Sequence, residues 1–161
     1  MDPVLTAAVV TVSDRVSRGE VDDRGGPLAA TLLEERGWTV TRQRAVPDEV
    51  DAIAAAVVEC CESGCVLVVT TGGTGLAARD VTPEAVRSVA HRDVPGIAEA
   101  MRAGTFGVLP QGMLSRQVAV TRGRSLIVTL PGSTGGVRDG IDAIAEALPH
   151  AIQILGGDTS H

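Results

Sequence analysis

CVLVVTTGGTG, residues 65 to 75, runs an apolar segment directly into a loop of glycine and threonine. Val66 to Val69 is wholly apolar and β-branched in part, the pattern of a strand buried on both faces of a parallel sheet. Gly72, Gly73 and Gly75 let the backbone take positive φ and approach a ligand closely, while Thr70, Thr71 and Thr74 add hydroxyls. A buried strand that ends in such a loop predicts an α/β domain with an anion-binding, phosphate-type site at the strand's carboxyl end.

Working outward, strand and helix patterns alternate. Leu5 to Val12 is a second short apolar run, expected as a central strand. After a polar loop from Ser13 to Gly26, Pro27 opens a helix that Gly37 stops. Trp38 to Val46 alternates in part and suits a strand nearer the edge, and Asp48 can cap a helix with apolar positions Val50, Ile53, Val57 and Cys61. Thr82 as N-cap with Pro83 and Glu84 marks another helix start, and a shorter helix follows from Pro95. Arg102 to Leu114 carries no clear period. Gln117 to Thr121 and Ser125 to Leu130 flank Arg122-Gly123-Arg124 as a hairpin, which puts one antiparallel strand into a mostly parallel sheet. Ser133 or Thr134 caps a last helix from about Val137, kinked or restarted at Pro149. The expectation is a single domain over residues 1–161, a three-layer αβα sandwich with right-handed crossovers.

Composition narrows the chemistry. All 14 basic residues are arginine, and the chain has no lysine, asparagine or tyrosine, which excludes a Walker lysine, a Schiff base and a tyrosine acid. The net charge of −6 and pI near 5.0 argue against non-specific nucleic-acid binding. No apolar stretch reaches a membrane span and no leader pattern is visible, so a soluble, cytoplasmic protein is expected. Cys60, Cys61 and Cys65 lack a second ligand cluster and read as buried thiols, and His91, His150 and His161 read as surface or packing residues.

In open α/β sheets ligands bind beyond the carboxyl ends of the strands, so Ser13-Asp14, Pro47-Asp48, Thr71 to Asp80 and Pro131 to Thr134 are the segments to watch. Asp48 and Asp80 can share one rim and hold magnesium, which takes one or two carboxylates together with substrate phosphates; Asp48 reads equally well as a helix cap. Arg79 and Arg116 are candidates to clamp a phosphate, with Ser115 beside them. GTGLAA, residues 73 to 78, also fits a dinucleotide fingerprint, but the helix that pattern must open is interrupted by Asp80 and Thr82-Pro83.

Taken in order, TVSD (11–14), VPDE (46–49), TTGGTG (70–75), RDVTPEA (79–85), PG (95–96), LSRQ (114–117) and LPGS (130–133) resemble the molybdopterin adenylyltransferase family of molybdenum cofactor biosynthesis, the Mog/MoaB type, similar also to the G domain of gephyrin. The resemblance covers nearly the whole chain. It implies a commonly trimeric domain that binds molybdopterin and Mg-ATP, transfers AMP to the molybdopterin terminal phosphate, releases pyrophosphate and works beside other cofactor-biosynthesis proteins. By the same resemblance Asp80 falls on the catalytic position and Asp48 on a second acidic position that handles metal and nucleotide. Thr71, Gly72, Gly73, Thr74 and Gly75 fall on the phosphate loop, and Ser13, Asp14, Ser115, Pro131, Gly132 and Ser133 on motifs that line the ligand pocket. Adenylyltransferase members often follow LPG with a small polar residue and proline, whereas Ser133-Thr134 is closer to the MoaB-like branch. A non-catalytic molybdopterin-binding or scaffold protein is therefore the alternative, and a nucleotide-dependent oxidoreductase a third.

Overall fold

The computed structural model describes residues 3–158 and 160. Along the chain come β1 (Thr6–Val12), α1 (Asp14–Ser17), α2 (Gly25–Glu34), β2 (Thr39–Val46), α3 (Val50–Glu62), β3 (Leu67–Thr71), α4 (Thr82–Ser88), β4 (Arg92–Asp93), α5 (Pro95–Ala103), a 3₁₀ turn (Pro110–Leu114), β5 (Ala119–Arg122), β6 (Ser125–Leu130), α6 (Thr134–Ile144) and α7 (Leu148–Leu155). The sheet order is β2-β1-β3-β6-β5-β4. Only β5 runs against its neighbours, pairing antiparallel with both β6 and β4, so the mostly parallel sheet with one reversed strand is as the sequence predicts.

Alternation along the buried strands sorts side chains into two apolar layers. Ala7 and Val9 of β1 pack with Leu33 of α2, Met101 of α5, Ile141 of α6 and Ile152 of α7 in one cluster. Ala8 and Val10 join Ile53 and Val57 of α3 and Val86 of α4 in the other. Helices on both faces make the three-layer αβα sandwich. β2, with most of its residues exposed, lies at one edge as its mixed pattern predicts.

Four readings need correction. The loop from Ser13 to Gly26 contains α1, because Ser13 Oγ accepts from Val16 N at 3.2 Å and caps a turn. Asp48 does not cap α3: Glu49 holds the cap position with no side-chain bond, and the Asp48 carboxylate bonds elsewhere. Thr82 is inside α4 rather than capping it, since its buried Oγ1 donates to Gly72 O at 2.9 Å. The two-residue strand β4 is invisible in the sequence pattern, and its pairing with β5 comes from tertiary contact.

The hairpin closes as predicted, with Arg122 opposite Ser125 and Gly123 at φ +56, the positive value a two-residue turn demands at its first position. His91 Nδ1 accepts from Gly123 N at 3.0 Å, a packing role. Burial pushes the Cys60 thiol up to about 11, so it stays protonated and inert at neutral pH. Among the described residues no helix is long and apolar enough to cross a membrane.

Candidate functional site

The chain leaves β1 toward β2 on one side and returns to β3 on the other, which makes the gap between the carboxyl ends of β1 and β3 a topological switch point. Beyond it the glycine loop is fastened on three sides. Gly72 N donates to Leu130 O of β6 at 3.0 Å, Thr82 N of α4 donates to Gly73 O at 3.1 Å, and Arg116 N donates to Thr74 O at 2.8 Å.

Gly72 and Gly73 have φ of +95 and +68. A β-carbon on Gly72 would lie 2.3 Å from Val12 O, and one on Gly73 would lie 2.3 Å from Thr82 Oγ1. The positive φ expected of the loop glycines holds at Gly72 and Gly73 and not at Gly75, and the first two are also required by the loop's packing against its own scaffold. A β-carbon on Gly75 would lie 2.8 Å from Asp80 Oδ2.

The amides of residues 73, 74, 75 and 76 donate to no protein acceptor among the described residues, although Thr74 is buried. Consecutive unsatisfied N–H groups in a positive-φ turn form an anion-binding nest. The loop opens into a cleft of about 720 Å³, whose other walls come from the 105–117 segment and the start of α6. Ser133 Oγ accepts from Gly136 N at 3.1 Å, capping α6 so that its amino end borders the same cleft.

Of the candidate site residues, Gly72, Gly73, Thr74, Gly75, Asp80, Ser115, Pro131, Gly132 and Ser133 line this cleft. Ser13, Asp14, Asp48 and Thr71 do not. Thr71 is buried at the end of β3, Ser13 caps α1, and the two aspartates are bonded to one another. The sequence reading missed Met101, Gln117 and Asp139; Gln117 Nε2 donates to Thr129 O at 3.2 Å and its Oε1 accepts from Ser115 Oγ at 2.9 Å.

Among the described residues no arginine lines the cleft. Arg116 is spent on the scaffold, where Nε donates to Gly75 O at 2.8 Å, Nη2 donates to Asp80 O at 2.6 Å and Nη1 pairs with Glu84. Arg79 grips Asp14 with both Nε and Nη2, at 2.7 and 2.8 Å. Both guanidiniums offered as phosphate clamps are engaged with protein groups, whereas the amides of residues 73 to 76 are not.

Three carboxylates gather at the switch point. The Arg79 guanidinium, assisted by the Asp48 amide, holds Asp14 below the usual carboxylate range. Burial raises Asp48, and the negative charges of Asp14 and Asp80 push the same way against the Asp14 amide that bonds it. Asp80 Oδ2 accepts from Ala77 N at 3.0 Å, which closes the loop and leaves Oδ1 without a protein partner among the described residues.

Fold and site together define an α/β domain with a loop of unengaged amides that opens into a cleft at the carboxyl ends of β3 and β6. Residues 8–150 match the family described as probable molybdopterin binding domain. A molybdopterin adenylyltransferase of Haemophilus influenzae is 37% identical over 98% of this chain and 87% of its own length, and one of Helicobacter pylori is 38% identical over 93% and 87%. A gephyrin of Dictyostelium discoideum is 36% identical over 91% of the chain, which spans 22% of that protein. Among solved structures, the molybdopterin biosynthesis enzyme MoaB of Thermus thermophilus superposes with a TM-score of 0.89 at 40% identity, covering 96% of this chain and 98% of that one. The chain belongs to the molybdopterin adenylyltransferase family of molybdenum cofactor biosynthesis, the Mog/MoaB type.

Proposed function

We propose that this chain transfers AMP from Mg-ATP to the terminal phosphate of molybdopterin. An oxygen of that phosphate attacks the α-phosphorus of ATP, a new P–O–P linkage forms, the bond to the β-phosphate oxygen breaks, and pyrophosphate leaves. The observation that carries this reading is the run of unengaged amides from 73 to 76 beside Asp80, in a cleft large enough for a nucleotide or a pterin.

The reaction needs no protein nucleophile. In-line positioning and neutralisation of developing charge suffice, and fixed amides in a walled cleft supply both without reorganising as charge moves. Asp48 Oδ1 and Asp80 Oδ1 lack protein partners among the described residues, and these two oxygens are the ones that would hold magnesium. Magnesium takes one or two carboxylates and completes its shell with phosphate and water, which is the supply two such oxygens and an ATP would provide. Asp48 and Asp80 would hold the ion where it would supply neutralisation of the phosphate charge.

The test is pyrophosphate release. It should require ATP and molybdopterin together, and NAD should produce no spectral change on titration. Binding of both substrates without pyrophosphate would establish the scaffold reading instead.

By the family resemblance we also propose a homotrimer, working in the cytoplasm beside other molybdenum cofactor biosynthesis proteins. Sedimentation at micromolar concentration should find about three chains per particle by closed cyclic symmetry. A monomer would overturn it.

A further inference from the structure

The sequence placed Asp14 among the ligand contacts and offered Arg79 as a phosphate clamp, but their geometry gives them another task. Asp14 and Asp48 are bonded reciprocally: Asp14 N donates to Asp48 Oδ2 at 2.8 Å, and Asp48 N donates to Asp14 Oδ1 at 3.0 Å. With Ser13 N donating to Val46 O at 2.9 Å, this pair staples the carboxyl end of β1 to that of β2. Arg79 then reaches across the switch point from the glycine loop and closes a fork on Asp14, with Nε on Oδ2 and Nη2 on Oδ1.

The three carboxylates are therefore not equivalent. Asp14 has both oxygens taken, one of them twice. Asp48 and Asp80 each keep one oxygen without a protein partner among the described residues. Asp14 sits between a guanidinium and the backbone of Asp48, so a shift in Arg79 reaches Asp48 through Asp14.

We infer that Arg79 and Asp14 are a positioning relay, which fixes the Asp48 carboxylate against the Asp80 loop and makes no direct contact with either substrate. The inference rests on the reading of Asp48 and Asp80 as cation-holding residues. Partners that orient a metal-holding carboxylate without touching the metal typically change metal affinity by about 10–100-fold when removed.

A double-mutant cycle separates a relay from a direct phosphate contact. Manganese is the probe, its unbound fraction read by electron paramagnetic resonance in the presence of ATP, with no turnover required. Arg79→Ala and Asp14→Ala should each weaken Mn²⁺–ATP binding about tenfold, and the double variant should be no weaker than the worse single. Asp14→Asn keeps an oxygen for the Asp48 amide and should retain more binding than Asp14→Ala. It replaces Asp14→Ala in the cycle if the alanine variant melts below the assay temperature. Molybdopterin affinity should be unchanged throughout.

Losses that multiply in the double variant would mean that Arg79 touches phosphate itself, and the relay would be overturned. Singles that bind like the wild type would overturn it too. A wild-type chain that binds no Mn²⁺–ATP would sink the function proposed above along with the relay, whereas normal wild-type binding with multiplying losses would sink the relay alone.

Discussion

Gly73→Val is expected to lower the melting temperature by roughly 6–12 °C and to abolish ATP binding at concentrations that saturate the wild type. Gly73 holds φ +68, a left-handed conformation that costs an L-residue about 1–2 kcal/mol and a β-branched one no less. Its β-carbon would also land 2.3 Å from Thr82 Oγ1 and 3.3 Å from Val12 Cγ1. Thr82 cannot yield cheaply, because that hydroxyl is buried and donates to Gly72 O; leaving such a pair unmade costs about 1–3 kcal/mol. Together these come to about 3 kcal/mol, and a domain of this size loses about 2–4 °C per kcal/mol. Binding is lost because the displaced segment is the one that aligns the amides of residues 73 to 76. Gly135→Ala is the matched control: Gly135 also lines the cleft, yet its β-carbon would meet nothing within 4 Å, so the melting temperature should not drop. Melting curves of the two variants check the assignment; equal stability in both would mean that Gly73 serves the ligand and not the loop.

The same residues show where sequence reading works and where it stops. β1, β3 and β6 were legible because a strand buried on both faces is mostly apolar, and α3 and α6 because a one-sided helix repeats its apolar positions. Arg102 to Leu114 resisted because nearly all of it obeys neither rule. Phe106, Val108, Met113 and Leu114 are apolar and largely exposed, so no burial pattern exists to be read, and yet this stretch builds a wall of the cleft.

At the site, residue types were legible and their pairings were not. Thr82-Pro83-Glu84 is a good local signature for a helix cap, but Thr82 is drawn inward by a carbonyl ten residues earlier. Arg79 looked available to phosphate because its partner Asp14 is 65 residues away in sequence. Local pattern cannot report which charges a fold has already used. The amides of residues 73 to 76 escape by the opposite route, since every residue but proline carries one and only the folded loop shows which remain unpaired.

Asp80→Asn should reduce pyrophosphate release by a factor on the order of a hundred or more while leaving molybdopterin affinity and melting temperature near wild type. The substitution is nearly isosteric. Asp80 uses one oxygen, Oδ2, to accept from Ala77 N at 3.0 Å, and the amide oxygen of asparagine can accept that bond unchanged. The loop should therefore keep its shape, and the Arg116 bond to the Asp80 carbonyl is a backbone contact that the substitution does not touch. The loss is confined to negative charge at the mouth of an amide nest, where it would hold magnesium against the ATP phosphates. The competing view gives Asp80 a structural part at the start of α4, but the N-cap there is Val81 and no side chain caps the helix. On that view stability would fall and transfer per folded molecule would persist. Measuring melting temperature, molybdopterin affinity and pyrophosphate release on one preparation decides between them: a stable, ligand-binding, nearly inactive variant assigns Asp80 to the chemistry, and a destabilised variant with undiminished turnover removes it.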